Sequence, residues 1–250
     1  MSKQRALLLD TLRGLALVNM MAYHATWDFI YLAGRNPAWY SESWGYYWQQ
    51  GICWTFILLS GFCWPLGRNH LRHGLTVFGC GLVVMAVTLI AEPEAAVWWG
   101  VLSLLGGAAL LLIPLEPVFR RIPGAVGAAA SMLCFALTRH AYWGSVGIRG
   151  FFSVALPDWL YQNKLTAYLG FPEPGFVSTD YFPLLPWMFL FFAGYFLHRL
   201  LWERVKGSQL LRFSCPPLTW LGQRSLVLYM FHQPVIYGAM TALFWLGVFG

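Results

Sequence analysis

Four ionisable side chains interrupt one apolar stretch near the start of the chain: Asp10, Arg13, His24 and Asp28, in LLLDTLRGLALVNMMAYHATWDF. An ionisable group at the centre of a bilayer costs about 2.5 kcal/mol or more, which makes it a functional candidate by default. At about 100° per residue, with Asp10 at zero, Arg13 falls near 300°, His24 near 320° and Asp28 near 0°. All four therefore share an arc of roughly 60° on an ideal helix. Such a stripe must face protein or water, because lipid would leave it unsatisfied.

The residue types suggest a division of labour. A histidine can act as general base or nucleophile near neutral pH. Asp28, one turn beyond His24, is close enough to hold the imidazole in one tautomer and support its protonated form. Arg13 offers a planar fork of donors suited to phosphate or carboxylate. It stands about 16 Å from His24 along the axis, at 1.5 Å per residue. The two share a face without touching, Arg13 in the inner half of the membrane and His24 in the outer. That distance resembles the reach of an extended pantetheine arm, with an anionic head held inside and a thioester delivered outside. The structural alternatives are an Asp10–Arg13 pair that only stabilises the start of the helix, and a His24 that only satisfies a buried hydrogen bond. The alignment of all four favours function for His24.

A second set lies in LTWLGQRSLVLYMFHQPVIYG near the C-terminus. Read as one helix, it carries Arg224 and His232 at depths that match Arg13 and His24. Ser225, Tyr229 and His232 share a face, and Pro234 removes a backbone donor. His232 and Gln233 then either satisfy a carbonyl freed by the proline or line an acceptor pocket with Tyr229. Asp180, Tyr181 and Trp187, among Pro183 and Pro186, form a rigid outer mouth. The aromatics there are either interfacial belt residues or a sugar platform. Arg139 and His140 carry the same ambiguity.

The elements that must position these groups follow from composition. Of 250 residues, 58% are hydrophobic and 10% charged, against about 25% charged in a typical soluble domain. The mean hydropathy is +0.56. An ordinary soluble enzyme, a disordered chain and a disulfide scaffold are excluded. The net charge of +6 is scattered between apolar runs, which suits membrane orientation and argues against nucleic acid. Cys53, Cys63, Cys80, Cys134 and Cys215 have no metal-like spacing and read as packing residues, so no metal is expected. The sequence contains no P-loop, GxGxxG, GxSxG or HExxH.

Apolar runs at 6–31, 45–67, 74–91, 96–115, 122–142, 181–201 and 218–247 predict an all-α, polytopic transmembrane bundle of about seven helices. Asp10 and Arg13 interrupt the first run, so it reads as an uncleaved helix and not as a signal peptide. With the N-terminus inside, Lys3, Arg5, Arg68, Arg72, Arg120, Arg121, Arg199, Arg204, Lys206 and Arg212 fall on the cytoplasmic side. Arg35, Arg139, Arg149 and Lys164 fall outside, with Glu42, Glu92, Glu94, Asp158, Glu173 and Asp180. That asymmetry matches the positive-inside rule. Residues 1–250 read as one domain, in which 143–179 is an outward-facing loop, a lid or an interfacial helix, with a further crossing left open.

The LDTLRGLALVNMMAYH segment resembles the first helix of membrane acyltransferases, in which Arg, ten residues and His form a hallmark. With GICWTFILLSGF, WWGVLSLLGG, DYFPLLPWMFLFFAGYFL and LTWLGQRSLVLYMFHQPV, the chain resembles the bacterial branch related to heparan-alpha-glucosaminide N-acetyltransferase. Residues 122–178 match least. The resemblance implies transfer of an acyl group from cytoplasmic acyl-CoA, acetyl-CoA above all, to a hydroxyl or amine of a glycan or amino sugar on the outer side. It implies His24 as general base or transient acyl carrier, supported by Asp28, and Arg13 with Arg224 as contacts for the donor. His232, Tyr229, Asp180 and Trp187 would contact the acceptor. The role of His24 rests on the wider Arg-x10-His hallmark, because NPAWYSESWGYYW contains no histidine where the heparan branch has its own. Expected partners are membrane lipid and the acceptor, in a bacterial plasma membrane, with a homo-oligomer left open. The competing class is a non-catalytic membrane protein, a small transporter or an accessory subunit of a glycan or lipid pathway.

Overall fold

The computed structural model describes residues 6–34, 37–41, 43–148 and 150–248. Of the orientation markers, Lys3, Arg5, Arg35, Glu42 and Arg149 lie outside the described residues. In chain order the helices are α1 (Leu7–Leu32), α2 (Ala38–Ser41), α3 (Ser43–Cys63), α4 (His70–Ala91), α5 (Val101–Phe119) and α6 (Gly124–Thr138). A hairpin of β1 (Ser145–Ile148) and β2 (Phe152–Ala155) follows, then α7 (Lys164–Leu169), α8 (Leu184–Val205), α9 (Pro216–Gln223) and α10 (Ser225–Trp245).

All seven apolar runs become helical, but among the described residues four helices are long and apolar enough to cross a membrane: α4, α5, α8 and α10. α1 has the length, 26 residues, yet Asp10, Arg13, His24 and Asp28 lower its hydropathy. In α3, Gln49 and Gln50 do the same. α6 has 15 residues, about 22 Å at 1.5 Å per residue, against a hydrocarbon core of about 30 Å. α1 nevertheless buries Asp10, Thr11 and Asp28 alongside Leu9, Ala16, Leu17 and Met20, while Leu12, Leu15 and Val18 are exposed. Buried carboxylates beside exposed aliphatic residues depart from the pattern of a helix on a water-soluble globule.

The chain divides into two compact units, one of residues 1–56 and 204–250, the other of residues 57–203. In the first, α1 crosses α9 at two glycines. A Cβ on Gly14 would lie 1.9 Å from the Leu218 carbonyl oxygen, and one on Gly222 would lie 1.8 Å from that of Asp10. Only glycine permits backbones to approach so closely. Beside the crossing, the Thr11 and Thr219 hydroxyls share a buried 2.7 Å hydrogen bond. The apolar core consists of Leu17, Met20 and Ile52 with Tyr23, Trp48, Leu221, Leu228 and Tyr229 around them.

The expected single C-terminal helix is two. Prolines 216 and 217 open α9, and Arg224 departs from helical angles at φ −114°, ψ 17° before α10 begins. α9 is held against α1 through Gly222 on the Asp10 carbonyl and through Gln223 Nε2, 3.5 Å from Asp10 Oδ2. Arg224 is thus a junction residue and not a mid-helix one.

In the second unit α4 and α5 pack through small residues, Gly81 against Ser103 and Gly106 against Phe78. Trp64 stacks on His70 at 3.7 Å and donates its indole N–H to the Ala109 carbonyl at 3.2 Å. Arg199 of α8 closes the C-terminal end of α5, donating to the carbonyls of Phe119 and Ile122 at 2.6 Å and of Arg120 at 2.9 Å. A cation there satisfies carbonyls that the helix leaves unpaired.

Segment 143–179 contains an antiparallel hairpin, with Ser145 opposite Ala155 and Ile148 opposite Phe152. Gly150 in the turn takes φ +90°, a left-handed value that suits glycine. Its helix, α7, has six residues with an Asn163–Thr166 capping box, far short of a crossing. Tyr168 of α7 donates to the Ser103 carbonyl at 3.3 Å, and burial pushes its phenol up to about 12.

Candidate functional site

The first unit brings together most of the residues that the sequence singles out. α10 is exposed along Val227, Phe231 and Val235, and the residue it buries is His232. The His232 ring lies 4.8 Å from that of His24 on α1, edge to face, and 5.2 Å from that of Tyr229. One turn along α1, Asp28 is fully buried and its Oδ1 accepts a 2.9 Å hydrogen bond from Gln233 Nε2. Two successive residues of α10 therefore answer two stripe residues of α1, histidine to histidine and carboxamide to carboxylate.

This pairing revises one expectation. Among the described residues no hydrogen bond joins Asp28 to His24. The carboxylate reaches across to α10, where a fixed donor meets one of its two buried oxygens. Gln233 is thus the partner that sequence reasoning underrated. The only signal for it was its position between His232 and Pro234.

At the other end of α1, Arg13 Nη1 contacts Asp10 Oδ1 at 3.0 Å, and its side chain remains about one-fifth exposed, 22%. The ion pair holds the guanidinium in place. Arg224 lies over the Trp220 ring at 4.4 Å and is otherwise exposed. A stacked guanidinium is held in place with its edge donors still available to an anion.

A family model described as heparan-alpha-glucosaminide N-acetyltransferase, catalytic, matches residues 5–234. The chain belongs to this acetyltransferase family. No curated protein and no solved structure matches it. The family match spans the Arg13–His24 stripe and His232 alike. With the long apolar helices, it makes the chain a membrane acetyltransferase in broad class.

In this family member the other two sequence candidates lie in the second unit, where each has structural partners. Asp180 Oδ2 accepts the Val101 N–H at 3.3 Å, at the start of α5, where a carboxylate suits the helix dipole. Trp187 is buried against Phe135 and Phe182, at ring separations of 5.4 and 5.0 Å, with the Arg139 guanidinium 5.8 Å from its centroid. His198, which the sequence reading passed over, is buried and stacked on Trp202 at 4.9 Å. Among the described residues no group of three or more His, Cys, Asp or Glu side chains suits a metal.

Proposed function

We propose that the protein transfers an acetyl group from cytoplasmic acetyl-CoA to a hydroxyl or amine of a glycan or amino sugar on the outer side of a bacterial plasma membrane. The observation that carries this reading is the His24–His232 pair, 4.8 Å apart, in a chain of the acetyltransferase family. α1, α3 and α6 join α4, α5, α8 and α10 as seven crossings, N-terminus inside, and residues 1–250 act as one domain. Polar side chains in α1 are tolerated because they face α9 and α10.

Arg13 and Arg224 receive the anionic groups of the donor, and His24 meets the thioester as general base or transient acyl carrier. Asp28 and Gln233 hold α1 to α10 beside the reacting groups. His232 and Tyr229 line the acceptor side. The reading rests on first-unit residues, since Asp180 and Trp187 have structural partners of their own.

Donor binding can be measured apart from chemistry. Acetyl-CoA is expected to raise the thermal unfolding midpoint of the purified protein, because a ligand that binds only the folded state stabilises it by mass action. In Arg13→Ala the shift is expected to fall to less than half. An undiminished shift in the variant would remove Arg13 from the donor site, and no shift in the parent would remove acetyl-CoA.

A further inference from the structure

The two histidines are not equivalent. His232 Nδ1 lies 2.6 Å from the Tyr229 carbonyl oxygen, one turn back on its own helix. A carbonyl oxygen can only accept, so in the neutral ring Nδ1 carries the proton and Nε2 carries the lone pair. That Nε2 is buried, and among the described residues it has no hydrogen-bond partner. The Gln233 side chain follows the same logic. Its Nε2 donates to the Asp28 carboxylate, so the amide orientation is fixed, and its buried Oε1 likewise has no partner among the described residues. A buried acceptor left unpaired costs stability. Here two acceptors occur on successive residues of α10, both of which engage α1.

We infer that His232 Nε2 takes the proton of the acceptor as that group attacks the acyl carbon, with Gln233 Oε1 as a second hydrogen-bond acceptor for a hydroxyl or amine. The inference rests on the acetyl-transfer reading and refines it, giving the proton of the acceptor to His232. As the acceptor oxygen or nitrogen bonds to the acyl carbon, its O–H or N–H bond breaks and the proton moves to Nε2. The bond from the acyl carbon to the atom that leaves, the donor sulfur or the His24 ring nitrogen, breaks with its electron pair. The imidazolium of His232 then gives the proton to that same atom, so that the sulfur departs as a thiol in direct transfer, or His24 returns to its neutral imidazole when it carried the acyl group. The Tyr229 carbonyl favours this cycle because it holds Nδ1–H in place and stabilises the ring when it is positively charged.

The test separates the two nitrogens. In His232→Asn the shorter side chain can keep a donor at the position of Nδ1 and has nothing at that of Nε2. With amino sugar as acceptor, kcat is expected to fall at least about 100-fold, with KM for acetyl-CoA within about threefold and partial rescue by added imidazole. Retention of kcat within threefold in His232→Asn, with His24→Ala inactive, would overturn this inference and leave the acetyl-transfer reading intact. Full activity in both variants would instead overturn that reading. Should His232→Asn fail to fold, nitrogen NMR of the parent protein labelled at histidine decides the tautomer. Protonated Nδ1 and bare Nε2 support the inference, and the reverse tautomer overturns it.

Discussion

Replacing His24 by alanine is expected to lower acetyl transfer by about 10²–10⁴-fold, the range for a positioned general acid–base group. The loss should appear in kcat and leave donor affinity nearly unchanged, because Arg13 sits at the other end of α1. Folding should survive, since His24 is only half-buried and its ring contacts are with Tyr23 and His232. The chemistry depends on the ring nitrogens, and the fold depends on packing that alanine preserves in part. The assay is product formation per folded protein, with the unfolding midpoint of each variant measured alongside. A variant that folds normally and transfers acetyl at the parental rate would remove His24 from the reaction.

The second large effect is structural. Gly222→Ala would put a methyl group 1.8 Å from the Asp10 carbonyl oxygen. Because that oxygen belongs to the backbone of α1, no rotamer change relieves the overlap, and the helices must separate. Overpacking costs about 1–3 kcal/mol and occasionally more, and the upper end is expected here. Both Thr11–Thr219 and Gln223–Asp10 lie beside the crossing and would be lost with it. Activity should fall with stability, because the same helix carries Arg13 and His24. Gly238→Ala is the matched control. It lies within α10, has nothing within 4 Å of its Cβ position, and should be neutral or slightly stabilising, as alanine is the better helix former. Thermal unfolding of the two variants side by side measures the difference.

The helical stripe was legible in the sequence because an ionisable group among apolar residues is conspicuous and helical angle is simple arithmetic. Asp10 and Asp28 are buried, and His24 meets His232. What the sequence could not convey was which neighbour each polar group would choose. Asp28 was within reach of His24 by spacing, yet it bonds to Gln233, a residue 205 positions away. The break at Arg224 was hidden because neither Pro nor a helix-ending motif stands at Gln223–Ser225, and it lies beside the Gly14–Gly222 crossing, a tertiary contact. The hairpin at 145–155 was hidden because its strands have four residues each, and β2 is exposed along its whole length, Phe152 and Val154 included. Asp180 and Trp187 looked like an outer mouth by composition, and their partners, Val101 and Phe135, come from distant parts of the chain.

The most direct measurement places purified protein in nanodiscs with acetyl-CoA and follows free thiol on addition of an amino sugar, with mass spectrometry of the sugar. The predicted result is acceptor-dependent release of thiol, matched one for one by acetylated sugar and abolished in His24→Ala. Absence of thiol release and of acetylated product, from folded protein supplied with amino-sugar and hydroxyl acceptors alike, would contradict the account.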